Sequence, residues 1–221
     1  MHISRFRELL LPVLFGTQTS LLRKINWYYT MTSANKNTKF ISFQGELYYP
    51  PKRITNHVWI GSRATAADPV FLKKNDIKFV VNCTKDLPKY SDIPMLRVPV
   101  NDSPQDADKM GKFLKMASLA IRDVTRYNGN VLVHCYAGMN RSATVTAAYL
   151  MTIKGLTAQQ AMDIIKKKKP ETFTPMNFRP ALKSYEETLK KNGVIVKKPA
   201  ASVKKENFRN AKKNNTVKKK K

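Results

Sequence analysis

The stretch that most restricts this chain covers residues 131–151. There the apolar run Val131-Leu132-Val133 ends in His134-Cys135, a short loop holds Gly138, and Arg141-Ser142 open an Ala-rich segment. A β-branched run closed by a glycine loop reads as a buried strand, and the Ala-rich segment reads as a helix. A cysteine is thereby set at a strand end, in front of a helix N-terminus. Amides of residues 136–141 can converge on one point there, which makes an anion site with a nucleophile inside it.

The chemistry accounts for the residue types. The thiolate is the nucleophile, and a thiol of ordinary acidity is only slightly ionised at neutral pH. A helix N-terminus favours a neighbouring anion by about 0.3–1 kcal/mol, or about 2 when partly buried. A thousandfold gain in ionisation requires roughly 4 kcal/mol, so the loop amides and Arg141 must supply the remainder. Arg141 brings a planar fork that holds two phosphoryl oxygens and stays charged. Ser142 can donate to the sulfur and ease its departure, Gly138 stands where a tight loop needs positive φ or a close approach, and His134 can orient the loop through backbone hydrogen bonds. Tyr136, Ala137, Gly138, Met139, Asn140 and Arg141 form the expected phosphate-binding set. Tyr136 has no role at this level beyond rim or solvent.

His134-Cys135-x-x-Gly138-x-x-Arg141-Ser142 resembles the signature loop of cysteine-dependent protein tyrosine phosphatases. Ala148-Tyr149-Leu150-Met151 after it is similar to the compact dual-specificity branch, atypical or poxvirus-type, and Trp59-Ile60-Gly61-Ser62 with the 77–82 run resembles that branch's opening βαβ unit. The resemblance implies an α/β fold with a twisted, mainly parallel sheet and helices on both faces. It also implies a protein phosphatase that hydrolyses phosphotyrosine and phosphoserine or phosphothreonine through a phosphocysteine, with no metal or other cofactor. Gly138-Met139-Asn140-Arg141 is also similar to RNA 5′-phosphatases of the same fold. That reading stays open, as does a catalytically weak phosphobinding module.

The general acid is expected at Asp102, 33 residues before Cys135, in Asn101-Asp102-Ser103. Ser103 fits a helix N-cap, Pro104 the first helical position and Asp106 the third, a variant capping box. That explains Asp106 and Asp108 by the first turn and leaves Asp102 free in the loop. Asp92 is a weaker candidate.

Along the rest of the chain, strands are expected over 54–61, 77–82 and 95–100, and a helix over 64–75. Apolar residues Met110, Phe113, Leu114, Ala117, Ile121 and Val124 recur at helical spacing, and Thr157 with Gln160 reads as a capping box before a helix that Pro170 stops. A last helix is expected from Thr174-Pro175 to about residue 191. Pro175-Met176-Asn177-Phe178 resembles a family turn imperfectly and receives no substrate role. Cys83 ends the 77–82 strand, so it can lie near Cys135 and form a disulfide with it under oxidation.

The net charge of +26 favours acidic partners, phosphoproteins first, then nucleic acid or anionic surfaces. Thirteen Lys or Arg against Glu206 fall in residues 190–221, so close to half of the excess lies in this stretch, most of which is a basic tail, 193–221, expected to be disordered. The domain is expected over 43–192. Residues 1–42 form an extension whose apolar run, 9–15, is too short to span a bilayer. A targeting role, pairing of two copies through it, and a functional start at Met31 all stay open. Two cysteines without a disulfide framework are expected of a reducing compartment, the cytoplasm, with the nucleus left open by the basic tail.

Overall fold

The computed structural model describes residues 40–195. The expectations for the N-terminal extension before residue 40 and for nearly all of the basic tail lie outside them. A hairpin, β1 (Ile41–Phe43) and β2 (Glu46–Tyr48), precedes the main sheet. That sheet has the order β3-β4-β7-β5-β6, from β3 (Lys52–Arg53), β4 (Val58–Gly61), β5 (Ile77–Asn82), β6 (Met95–Arg97) and β7 (Asn130–His134). Only the edge strand β3 is antiparallel to its neighbour.

Helices cover both faces, as a parallel sheet requires. On one side lie the short α1 (Arg63–Ala66) and α2 (Pro69–Lys74). On the other lie α3 (Ala107–Thr125), α4 (Arg141–Lys154), α5 (Ala158–Lys168) and α6 (Arg179–Lys191). The alternation along β7 divides the two cores: Val131 and Val133 enter the large one with Leu114, Ile121 and Leu150, while Leu132 enters the small one with Leu72 and Val80. Of the stripe expected on α3, Met110, Leu114, Ala117 and Ile121 are buried and Phe113 and Val124 partly so, and α6 buries Leu182, Tyr185 and Leu189.

Several boundaries differ from the sequence expectation for local reasons. The expected 64–75 helix is two helices, because Asp68 accepts from the amides of Val70 and Phe71 and starts a new one at Pro69. Residues 54–57 form a turn, closed by Ile54 N–H on Val58 O at 2.8 Å, so the strand there begins at Val58. The 95–100 strand stops at Arg97, and the last helix begins at Arg179 rather than at Pro175, which follows a cis peptide bond in the preceding loop. The Thr157–Gln160 capping box is present as expected.

The lysine run that closes α5 is only partly solvated. Lys168 Nζ donates to Ile54 O at 2.8 Å, and the fully buried Lys169 donates to Pro50 O at 3.2 Å and pairs with Glu171. These contacts tie residues 50–54 to the segment that runs behind residues 135–141. Burial pushes the Lys169 amine below its ordinary range, against the opposing pull of Glu171. Removing the cation strands a carboxylate whose side chain is only 11% exposed. Lys169→Met is expected to lose about 3–5 kcal/mol in urea unfolding, and adding Glu171→Gln to recover part of that loss.

Candidate active site

Cys135 follows the last residue of β7 at the carboxyl edge of the sheet and is 1% exposed. Its sulfur receives the Gly138 N–H at 3.3 Å and lies 3.4 Å from Ser142 Oγ, itself fully buried in the first turn of α4. The loop has this shape because Gly138 turns back at φ +74° and packs on the end of β4. A Cβ there would stand 2.6 Å from Gly61 O and 3.0 Å from Ser62 N. Two backbone bonds hold the flanks, Arg63 N–H to Tyr136 O and Phe173 N–H to Met139 O, each 2.9 Å. The loop is therefore fixed from three sides before any ligand arrives.

Arg141 opens α4 and reaches across the mouth. Its Nη1 donates to Val100 O at 3.1 Å, its Nε stands 3.5 Å from Asp102 Oδ2, and that buried Nε makes no hydrogen bond to the described residues. Asp102, in the loop after β6, is the carboxylate that the fold brings to the loop; Asp92 lies exposed on the β5–β6 connection. Asp106 does not reach back to Ser103 as a capping box would. Its Oδ2 accepts the Asn101 N–H at 2.7 Å and closes the loop around Asp102.

Two amides hold Asp102 Oδ1, Asn140 Nδ2 at 3.1 Å and Asn177 Nδ2 at 3.0 Å, and Asn177 also reaches the Asp102 carbonyl at 3.3 Å. Sequence reasoning gave Asn177 no role. The imperfect family turn around it was the available signal, but only the fold shows that the cis Thr174-Pro175 loop lies beside Asp102. Asn140 occupies the N-cap of α4, yet its side chain makes no cap hydrogen bond and goes to Asp102 instead.

Tyr136 has a definite place. Its hydroxyl donates to both oxygens of Glu46, at 2.7 and 2.8 Å, and its ring lies 4.5 Å from the Arg63 guanidinium. Arg63 pairs with Glu46 at 3.2 Å and bonds to Tyr48, so the β1–β2 hairpin is clasped to the rim. The hydroxyls of Tyr48 and Tyr136 hold the Glu46 carboxyl below its ordinary range. Ala137 and Met139 are half-buried in the loop.

Asn82 and His134 are register partners on β5 and β7, and Cys83 N–H donates to His134 O at 2.8 Å. Cys83 and Cys135 therefore follow side by side on strands about 4.8 Å apart. Both enter the large core and both are free thiols. Burial pushes the Cys83 thiol well up, with the neighbouring Cys135 adding to it.

His134 is 1% exposed, and burial lowers its imidazole to about 4. The unfolded chain binds this proton near pH 6.5, so between those values it holds more protons than the folded one and stability falls as pH falls. The loss begins below about pH 6.5, is complete near pH 4, and amounts to about 3 kcal/mol. His134→Asn is expected to remove that part of the slope, read as the wild-type-minus-variant difference in urea stability between pH 7 and pH 4.

Residues 58–188 match the family model described as dual specificity phosphatase, catalytic domain. Human dual specificity protein phosphatase 16 is 34% identical over 143 residues, covering 63% of this chain and 21% of that protein. Rat dual specificity protein phosphatase 15 is 35% identical over 129 residues, 58% of this chain and 54% of that protein. The chain thus spans about a fifth to about half of these curated relatives. The crystal structure of human DUSP28 superimposes with a TM-score of 0.60 at 30% identity, covering 64% of this chain and 95% of that chain.

Proposed function

Because the chain belongs to the dual specificity phosphatase family, we propose that residues 43–192 hydrolyse phosphate monoesters on proteins, at phosphotyrosine and at phosphoserine or phosphothreonine. The observation that carries this reading is the convergence of Gly138 N–H and Ser142 Oγ on Cys135 Sγ, with Arg141 and Asp102 facing each other across the mouth.

In the first step Cys135 Sγ forms a bond to phosphorus as the bond to the substrate oxygen breaks, and Asp102 gives that oxygen a proton. In the second, water attacks phosphorus, its proton passes to Asp102, and the sulfur leaves with a hydrogen bond from Ser142. Arg141 holds two phosphoryl oxygens through both steps. Amides of Tyr136 to Arg141 supply the remaining donors, while His134 stays neutral and orients the loop. The reaction so written uses only these protein groups. No helix there is long and apolar enough to cross a membrane. A catalytic thiolate needs a reducing compartment, cytoplasmic or nuclear, and the excess of Lys and Arg favours acidic phosphoprotein partners.

The test is phosphate release, with EDTA present, from a peptide carrying phosphotyrosine and phosphothreonine and from 5′-triphosphorylated RNA. Release from both peptide positions is expected, falling by at least about 10³-fold in Cys135→Ser. Release from RNA alone would move the chain to RNA chemistry, and Cys135→Ser that binds phosphopeptide beside an equally inactive wild type would leave a binding module.

The neighbouring cysteines support a second, redox reading. Peroxide converts the Cys135 thiolate to a sulfenic acid, and the Cys83 thiol displaces its oxygen as water to form a disulfide. The strand spacing falls within the 4.4–6.8 Å Cα separation that a disulfide spans. In excess peroxide a Cys135 sulfenic acid that no thiol captures is oxidised further to the sulfinic acid, which dithiothreitol does not reduce, so dithiothreitol is expected to restore most wild-type activity but little of that of Cys83→Ser. Equal recovery would remove the disulfide.

A further inference from the structure

The acid loop is held by two asparagine side chains from outside it. Asn140 sits where its side chain could cap α4, a bond worth about 1 kcal/mol. It is turned instead onto Asp102 Oδ1, which also receives Asn177. A carboxylate oxygen has two lone pairs to offer in its plane, and these two amide N–H groups occupy both. Among the described residues Oδ2 receives no amide and stands 3.5 Å from Arg141 Nε.

We infer that Asn140 and Asn177 are positioning residues that select the oxygen of Asp102 through which protons move, and that they thereby set how well the enzyme handles poor leaving groups. The inference rests on the phosphatase reading above. A proton on Oδ1 would compete with two amide donors, so the acid form carries it on Oδ2, beside the phosphate loop. When a phosphoryl group engages Arg141, Oδ2 is left facing the departing oxygen. As the S–P bond forms and the P–O bond breaks, the Oδ2 proton goes to that oxygen. In the second step water gives its proton back to Oδ2 as the O–P bond forms and the S–P bond breaks. Asn177 also holds the Asp102 carbonyl, so the same side chain sets the main chain and the carboxyl plane.

This arrangement has a signature that simple loosening of the fold lacks. A serine or threonine alkoxide must be protonated as it leaves, whereas 4-nitrophenolate leaves readily without a proton. Misdirecting the acid therefore harms the first class selectively.

The experiment compares kcat/KM, which reports only the steps through phosphocysteine formation, on a phosphothreonine peptide and on 4-nitrophenyl phosphate for the wild-type full chain and for Asn177→Ala and Asn177→Asp. Asn177→Asp keeps the volume but puts an acceptor where Oδ1 needs a donor. The expected result is a loss of about 10- to 100-fold on the peptide against less than about 3-fold on 4-nitrophenyl phosphate, with Asn177→Asp at least as impaired as Asn177→Ala. Asp102→Asn marks the full extent of the selective loss. Equal losses on both substrates, or an Asn177→Asp enzyme with the wild-type ratio, would overturn the inference while leaving the phosphatase reading intact. A wild type with no Cys135-dependent release from either substrate would remove both.

Discussion

The site depends on a contact that contains no side chain. Gly138 lies against the peptide joining Gly61 to Ser62, where a single added carbon would stand 2.6 Å from an oxygen. That approach couples the end of β4 to the turn after β7, and the two strands are already paired residue for residue from Val58 to Gly61. Close packing at this point lets the 135–141 backbone hold its amides inward without a ligand to organise it. The cost of ordering the loop is met during folding rather than during binding.

From that fixed centre the parallel sheet does the gathering. Loops leaving the carboxyl ends of parallel strands share one edge, so the turn after β4, the acid loop after β6 and the nucleophile loop after β7 meet without long excursions. The loop before α6 joins them from the helical side. Each approaches through backbone or amide hydrogen bonds, and the charges at the centre, Arg141 and Asp102, are each held by neutral partners, Val100 O for one and two asparagine amides for the other.

Much of this was legible in the sequence. Val131 to Ser142 carries its own geometry, because strand, glycine turn and helix start follow from residue type, and the periodicity of Met110 to Ile121 identified a core helix. Local signals failed where tertiary contacts decide. Asp106 looked like part of a capping box but bonds across the acid loop, Asn177 lay in a turn whose spacing did not match, and no local signal marks Lys168 and Lys169 as donors to backbone carbonyls far away in sequence. Tyr136 could not be placed because its partner, Glu46, is 90 positions away.

The Tyr136–Glu46 clasp separates two meanings of a domain boundary. Shared ancestry is recognisable from residue 58, but the rim of the site is completed by residues 43–48, upstream of that point. The clasp joins Tyr136, directly after the nucleophile, to a hairpin that lies outside the matched stretch, so the rim is built from residues far apart in the chain. The hairpin thus gives the entrance beside the nucleophile its shape.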